Sequence, residues 1–220
     1  MTNKLTQFTT HSSQFTNFAF TLAETLIVMG IIGVVAALTL PNLNSSTGDK
    51  EKVVKVKKIY QNLNDAMGRA TAVYGPYDEW FVNDANAAAQ RTRFAQRLTE
   101  FMKVTKSSNT STANLYTLSD GTTLNITSKG FVKFDIDGDN KGKNQEIYDI
   151  FALNCNNEGC IAEISDMDNY KHWCLSSYKI VQSCTGWIIQ YDNMDYLKAD
   201  SNGKCNNSNV TLNDTITSCK

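Results

Sequence analysis

Histidine is nearly absent from this chain, which holds two, His11 and His172. With one of them near the N-terminus, no Ser–His–Asp or His–Cys arrangement has a spacing that supports nucleophilic catalysis, and the chain is expected not to be an enzyme. Proline is as scarce, at Pro41 and Pro76, which excludes a Pro-rich linker. No Cys-x-x-Cys pair occurs, so the usual ligand spacing of a structural zinc site is missing. Neither sign of charge dominates: 21 Lys and Arg stand against 22 Asp and Glu, a net charge of −1 that excludes the balance of a nucleic-acid binder.

What is present begins with an apolar stretch over residues 20–40. From Thr25 to Leu40 it carries no charge. About 20 helical residues span the hydrocarbon core of a bilayer, so this stretch is expected to be a membrane helix. Glu24 sits at its N-terminal edge, either a functional intramembrane carboxylate or a group at headgroup level. The six cysteines, Cys155, Cys160, Cys174, Cys184, Cys205 and Cys219, all lie in the last third. An even number confined to one region behind a targeting segment reads as disulfides formed in an oxidising compartment. Consecutive pairing is the simplest arrangement. Topology signals conflict, because the first 19 residues hold only Lys4 while Lys50, Lys52, Lys55, Lys57 and Lys58 follow the helix. The positive-inside rule would place that second cluster in the cytoplasm. The cysteines place the C-terminal domain outside, and the lysines then read as the solvated face of a folded helix.

Over 49–74, Val53, Val56, Tyr60, Leu63, Met67 and Ala70 recur at helical steps and mark one apolar face. Ser45-Ser46-Thr47-Gly48 is expected to break the helix before it, and Pro41 to kink or end it. A second helix is expected from Asn83 or Asp84 to about Val104, with Phe94, Leu98, Phe101 and Met102 inside and Arg91, Arg93 and Arg97 solvated. A polar loop over 106–113 follows. Alternation then begins. Residues 115–118 and 122–126 flank Asp120-Gly121 as a hairpin, and 131–136, 147–153 and 160–164 are further strands. Helix first and antiparallel sheet after it is an α+β class. Trp187, Ile188 and Ile189 are expected to pack under the sheet.

Ala19-Phe20-Thr21-Leu22-Ala23-Glu24, the apolar run and Pro41 together resemble the processing signal of type IV prepilins and type II secretion pseudopilins. The resemblance implies a cut between Ala19 and Phe20, with Glu24 then fifth and Pro41 twenty-second in the mature chain. Ala19 stands where the family usually has Gly, and the leader is poorer in Lys and Arg. The family's arrangement implies four segments: a leader over 1–19, a membrane and polymerisation half-helix over 20–41, a soluble half-helix over 42–74, and a globular domain with a Cys-rich end over 75–220. It implies partners as well: a prepilin peptidase and methyltransferase, other pilin or pseudopilin subunits, and an inner-membrane assembly platform. The chain would be held in a bacterial cytoplasmic membrane by one span before entering an extracytoplasmic filament. Asp120-Gly121, the Asp135-Ile136-Asp137-Gly138 turn, Asp149-Ile150-Phe151 and the segments 184–189 and 193–197 also resemble a subgroup of bacterial pilin-like proteins.

Asp135, Asp137, Asp139 and Glu146 stand at positions 1, 3, 5 and 12 of an EF-hand-like spacing, with the Lys141 carbonyl at position 7. Calcium is therefore one expectation for this segment. A polar turn between strands is the other, since Asn140 replaces the turn glycine and a strand precedes the loop. No cofactor is otherwise required. Two different roles stay open beside the filament subunit: a signal-anchored binding or adhesion module, and an exported enzyme using a pair such as Asp166 and Asp168.

Overall fold

The computed structural model describes residues 22–138, 145–175 and 178–219, and for 36–47 the helical backbone without its side chains. The leader, with Ala19 and Phe20, lies outside the described residues, and so do Asp139 and Lys141. The architecture is α+β, with a six-stranded antiparallel sheet and three disulfides. The chain divides into two compact units, residues 1–45 and 46–220.

The division falls inside the first helix, α1 (Leu22–Tyr74). Its backbone stays helical through Pro41, so the helix does not end there, and through Ser45-Ser46-Thr47-Gly48, where the sequence predicts a break. A proline inside a helix removes one backbone hydrogen bond and costs about 3 kcal/mol. Propagation from long helical segments on both sides outweighs a local defect of that size.

In the second unit α1 buries Val53, Val56, Ile59, Leu63, Ala66, Met67 and Ala70. Ile59, not Tyr60, continues the stripe, and Tyr60 is half-buried. The lysines differ from expectation more sharply. Lys52 donates to the Tyr148 carbonyl at 3.0 Å, Lys57 pairs with Asp192 at 2.5 Å, and Lys58 pairs with Asp120 at 3.0 Å. Lys50 and Lys58 are solvated as expected and Lys55 pairs with Glu51 on the same face, while Lys52, Lys57 and Lys58 also tie α1 to separate loops of the globular fold. Long lysine stems let an ammonium on the helix reach such loop acceptors.

Gly75 ends α1, and a 3₁₀ turn (Tyr77–Phe81) precedes α2 (Ala87–Thr99). Asn86 caps α2 by accepting from the Ala89 amide at 2.9 Å, two residues beyond the nearer expected cap. α2 stops at Thr99, and Val104 begins a strand, β1 (Val104–Asn109), where a polar loop was expected. Every β1 residue after Val104 is exposed, so no alternation announces it. Nor are the α2 arginines all solvated. Arg91 is buried, donating from Nε to Asn114 Oδ1 at 2.8 Å and from Nη2 to the Thr110 and Ser111 carbonyls. The β1–β2 turn leaves carbonyls without strand partners, and a guanidinium fork supplies donors to several at once. Arg97 lies over Tyr74 and Trp80, 4.6 and 5.5 Å from their ring centres.

The remaining strands are β2 (Asn114–Leu118), β3 (Thr123–Ser128), β4 (Phe131–Asp135), β5 (Ile150–Asn156) and β6 (Gly159–Ile161). They pair in chain order. Gly121 takes φ +90° in the β2–β3 turn, the conformation the Asp-Gly pair supplies cheaply. One face carries Leu124, Ile126, Val132, Phe134, Phe151 and Leu153, all buried in a core shared with α1 and α2. Asn125 lies opposite Lys133, and Thr123 opposite Asp135, on the other face.

β6 is an edge strand, and α1 covers it with one side chain. Asn64 donates from Nδ2 to the Cys160 carbonyl at 2.8 Å and accepts from the Cys160 amide at 2.9 Å. Edge backbone left unpaired is costly when buried. Asn64→Ala is expected to lose about 1–3 kcal/mol in urea unfolding and to speed hydrogen exchange at the Cys160 amide. Unchanged exchange there would remove this role from Asn64.

Beyond the sheet come a short helical turn α3 (Met167–Tyr170), a π-helical turn (Lys171–Leu175), α4 (Val181–Tyr191) and a 3₁₀ turn (Asp195–Leu197). α4 packs against β5, burying Trp187 and Ile188 fully, with Ile189 half-buried.

Candidate functional site

In the first unit, the described part of the apolar stretch is exposed on every side. Leu22, Leu26, Ile27, Val28, Met29, Ile31, Ile32, Val34 and Val35 are each 53–80% accessible. A soluble helix turns an apolar stripe inward, and this one has no inward face. Removing such apolar area from water is favourable. Glu24 lies in the first turn of α1, where the positive end of the helix dipole favours a carboxylate. Added methyl groups at Gly30 or Gly33 would meet nothing within 4 Å.

Among the described residues no helix is long and apolar enough to cross a membrane. The span expected over 20–41 extends at both ends past the described side chains, which run from Leu22 to Val35. Pro41 is placed only as helical backbone.

The cysteines join consecutively, as Cys155–Cys160, Cys174–Cys184 and Cys205–Cys219, and none is free. Cys155 and Cys160 face each other across the β5–β6 pair. The second bridge ties the π-helical turn to α4, and the third closes the irregular tail. With all six thiols consumed, cysteine has no part in a metal site.

The acidic turn follows β4. Asp135 Oδ1 accepts from the amides of Asp137 and Gly138, both at 3.2 Å. Burial, then the adjacent Asp137 carboxyl, pushes the Asp135 carboxyl up to about 6, against the opposing effect of those amides. Glu146 is not with them, since its carboxylate pairs with Lys133. Asp149, fully buried, accepts from the Gln145 amide at 2.7 Å and shapes the return into β5. Among the described residues no three of His, Cys, Asp and Glu gather as a metal-ligand group. Of the expected acids among the described residues, Asp135 and Asp137 are brought together and Glu146 is not, and both aspartates are oxygen donors of the kind calcium takes.

Asp166 caps α3 by accepting from the Asn169 amide at 2.9 Å, and Asp168 is exposed beside Lys171. His172 packs its ring against Trp173 and Tyr178.

A polar hub at Asn193 and Asp195 has no sequence signal, because its partners are distant in the chain. Asn193 accepts from Trp187 Nε1 and donates to the Thr217 carbonyl. Asp195, which is buried, accepts from Lys198, from Ser218 Oγ and from the Cys219 amide at 2.7, 2.7 and 2.8 Å. Comparison with protein-family models, with curated proteins and with solved structures finds no match.

Proposed function

We propose that this chain is a structural subunit of a type IV pilus or type II secretion pseudopilus, assembled through its N-terminal helix. The observation that carries the reading is the apolar surface of α1 from Leu22 to Val35, exposed all round and bearing one carboxylate, Glu24, in its first turn. The spacing of Ala19, Phe20, Glu24 and Pro41 supports it. In this reading residues 20–41 lie in the cytoplasmic membrane and the disulfide-bonded unit faces an oxidising space outside. A cut before Phe20 creates an amine at the end of an apolar helix. Pairing that amine with Glu24 of a neighbouring subunit removes two charges that are expensive in hydrocarbon, so assembly is favoured from within the membrane. The chain is then the substrate of a peptidase and methyltransferase rather than a catalyst. The role needs no cofactor, and calcium would be held at the acidic turn.

Intact mass and N-terminal sequencing of the protein from its native membrane, with and without the prepilin peptidase, test this. The expected product begins at Phe20 and carries one extra methyl group. A chain that keeps Met1, or one cut beyond Leu40, would sink the reading and leave an anchored or secreted module.

A further inference from the structure

Asparagine followed two residues later by serine or threonine occurs six times in this chain, at Asn44, Asn109, Asn125, Asn206, Asn209 and Asn213. That triplet is the acceptor pattern for an N-linked glycan, and by itself it is a weak signal. The structure separates the six. Asn44 has no described side chain. Asn125 and Thr127 lie inside β3, and Asn109 ends β1 with its carboxamide oxygen taken by Asn114 at 2.9 Å. In the triplet of Asn206 the hydroxyl, Ser208 Oγ, accepts from the Val210 amide.

Asn213 differs, because among the described residues it alone accepts from the hydroxyl of its own triplet. Thr215 Oγ1 donates to Asn213 Oδ1 at 2.7 Å, and the amides of Thr215 and Ile216 donate to the same oxygen at 2.9 and 2.8 Å. These bonds fix the carboxamide by its oxygen, and among the described residues nothing accepts from its Nδ2. Residues 213–216 are all exposed. The turn is braced from behind. Leu212 is fully buried, the Asp214 carboxylate accepts from the Met167 amide at 3.0 Å, and the Cys205–Cys219 bridge closes the segment. Three donors on one carboxamide oxygen draw charge toward it, which eases loss of the Nδ2 proton.

We infer that Asn213 is a glycosylation site, the acceptor for a sugar transferred from a lipid-pyrophosphate carrier. A bond forms between Asn213 Nδ2 and the anomeric carbon of the sugar. The bond from that carbon to the pyrophosphate oxygen breaks, the lipid pyrophosphate leaves with the electron pair, and the Nδ2 proton passes to a base of the transferase. Thr215 is a positioning residue that orients the carboxamide. The three disulfides fit an oxidising space, and N-linked acceptors lie on surface loops of exported proteins.

The inference does not depend on the filament reading, because the tail and the cut before Phe20 are read on separate peptides. The full chain is taken from its native membrane, reduced and digested with trypsin, and the mass of the peptide 205–220 is measured. A peptide heavier than its sequence by whole sugar residues is expected. An amide-specific glycosidase in heavy-oxygen water should return it with Asn213 converted to labelled aspartate. Asn213→Gln and Thr215→Val should abolish the added mass, Thr215→Ser should restore it, and Asn206→Gln or Asn209→Gln should leave it unchanged. An unmodified parent peptide would overturn the site. So would a sugar carried by Asn206 or Asn209, or one on a hydroxyl that resists the glycosidase.

Discussion

Gly186→Ala is expected to destabilise the disulfide-bonded unit by about 3 kcal/mol or more. Gly186 lies in α4 with ordinary helical backbone, so conformational freedom is not the reason for glycine. The reason is approach. A methyl group there would lie far inside van der Waals contact with the Glu163 carbonyl oxygen, 2.6 Å from its carbon and 3.1 Å from Tyr170 Oη. A backbone carbonyl cannot swing aside as a side-chain tip can. Either α4 moves off β5 or the segment after β6 moves off α4. Trp187, Ile188 and Tyr170, all fully buried, move with them. The contrast is Gly68 in α1, where an added methyl meets nothing within 4 Å. There alanine should stabilise by about 0.4–1 kcal/mol, through the unfolded chain and helix propensity. Equilibrium urea unfolding of the two oxidised variants checks both. A Gly186→Ala midpoint indistinguishable from the parent would show that the close approach carries no constraint.

Asp195→Ala is expected to cost about 3 kcal/mol and to free the C-terminal tail. The carboxylate binds three donors at once, from Lys198, Ser218 and the Cys219 backbone. Its removal strands the Cys219 amide and the Ser218 hydroxyl in a partly buried place. The Cys205–Cys219 bridge still closes the loop covalently. What should change is packing, seen as faster hydrogen exchange at the Cys219 amide and faster reduction of that disulfide. Burial by itself would raise the Asp195 carboxyl, but hydrogen bonds from Lys198, Ser218 and the Cys219 amide outweigh it and hold the group below its ordinary value of 3.8. A carboxyl with a lowered folded-state pKa stabilises fully above its unfolded value and loses that contribution as pH falls through the folded one. The tail should therefore stay docked from pH 7 to pH 5 and loosen only below about pH 4. Loss of Cys219 protection between pH 7 and pH 5 would show that another group controls the tail.

Much of the fold is written locally. The Asp-Gly turn, the alternation through β2, β3 and β4, and the α1 stripe each follow from residues a few positions apart, and the structure places them within a few residues of expectation. The cysteines join in the simplest consecutive order, which short separations favour entropically. β1 was hidden because its side chains face water on both sides of the sheet, leaving backbone pairing with β2 as its whole signal. α4 was hidden because Val181, Ser183, Cys184, Thr185, Trp187 and Ile188 are buried nearly all round, so no polar face marks a helical period.

By itself the sequence determined the class of fold, the positions of most strands, and an apolar N-terminal helix with one acid in its first turn. Those properties depend on periodicity, turn chemistry and composition, which act between neighbours in the chain. Only the tertiary structure decided what the polar residues do. Arg91, Lys52, Lys57, Lys58, Asn64 and Asp195 look like solvated surface in one dimension. Each is committed to a partner, and the partner is often far along the chain: Asn64 meets Cys160, and Lys57 meets Asp192. The same is true of the acids after β4. Their spacing suggests a consecutive loop, yet Glu146 turns to Lys133. A hydrogen bond or an ion pair is specific to geometry, and that geometry exists only once the sheet has closed and distant segments lie side by side.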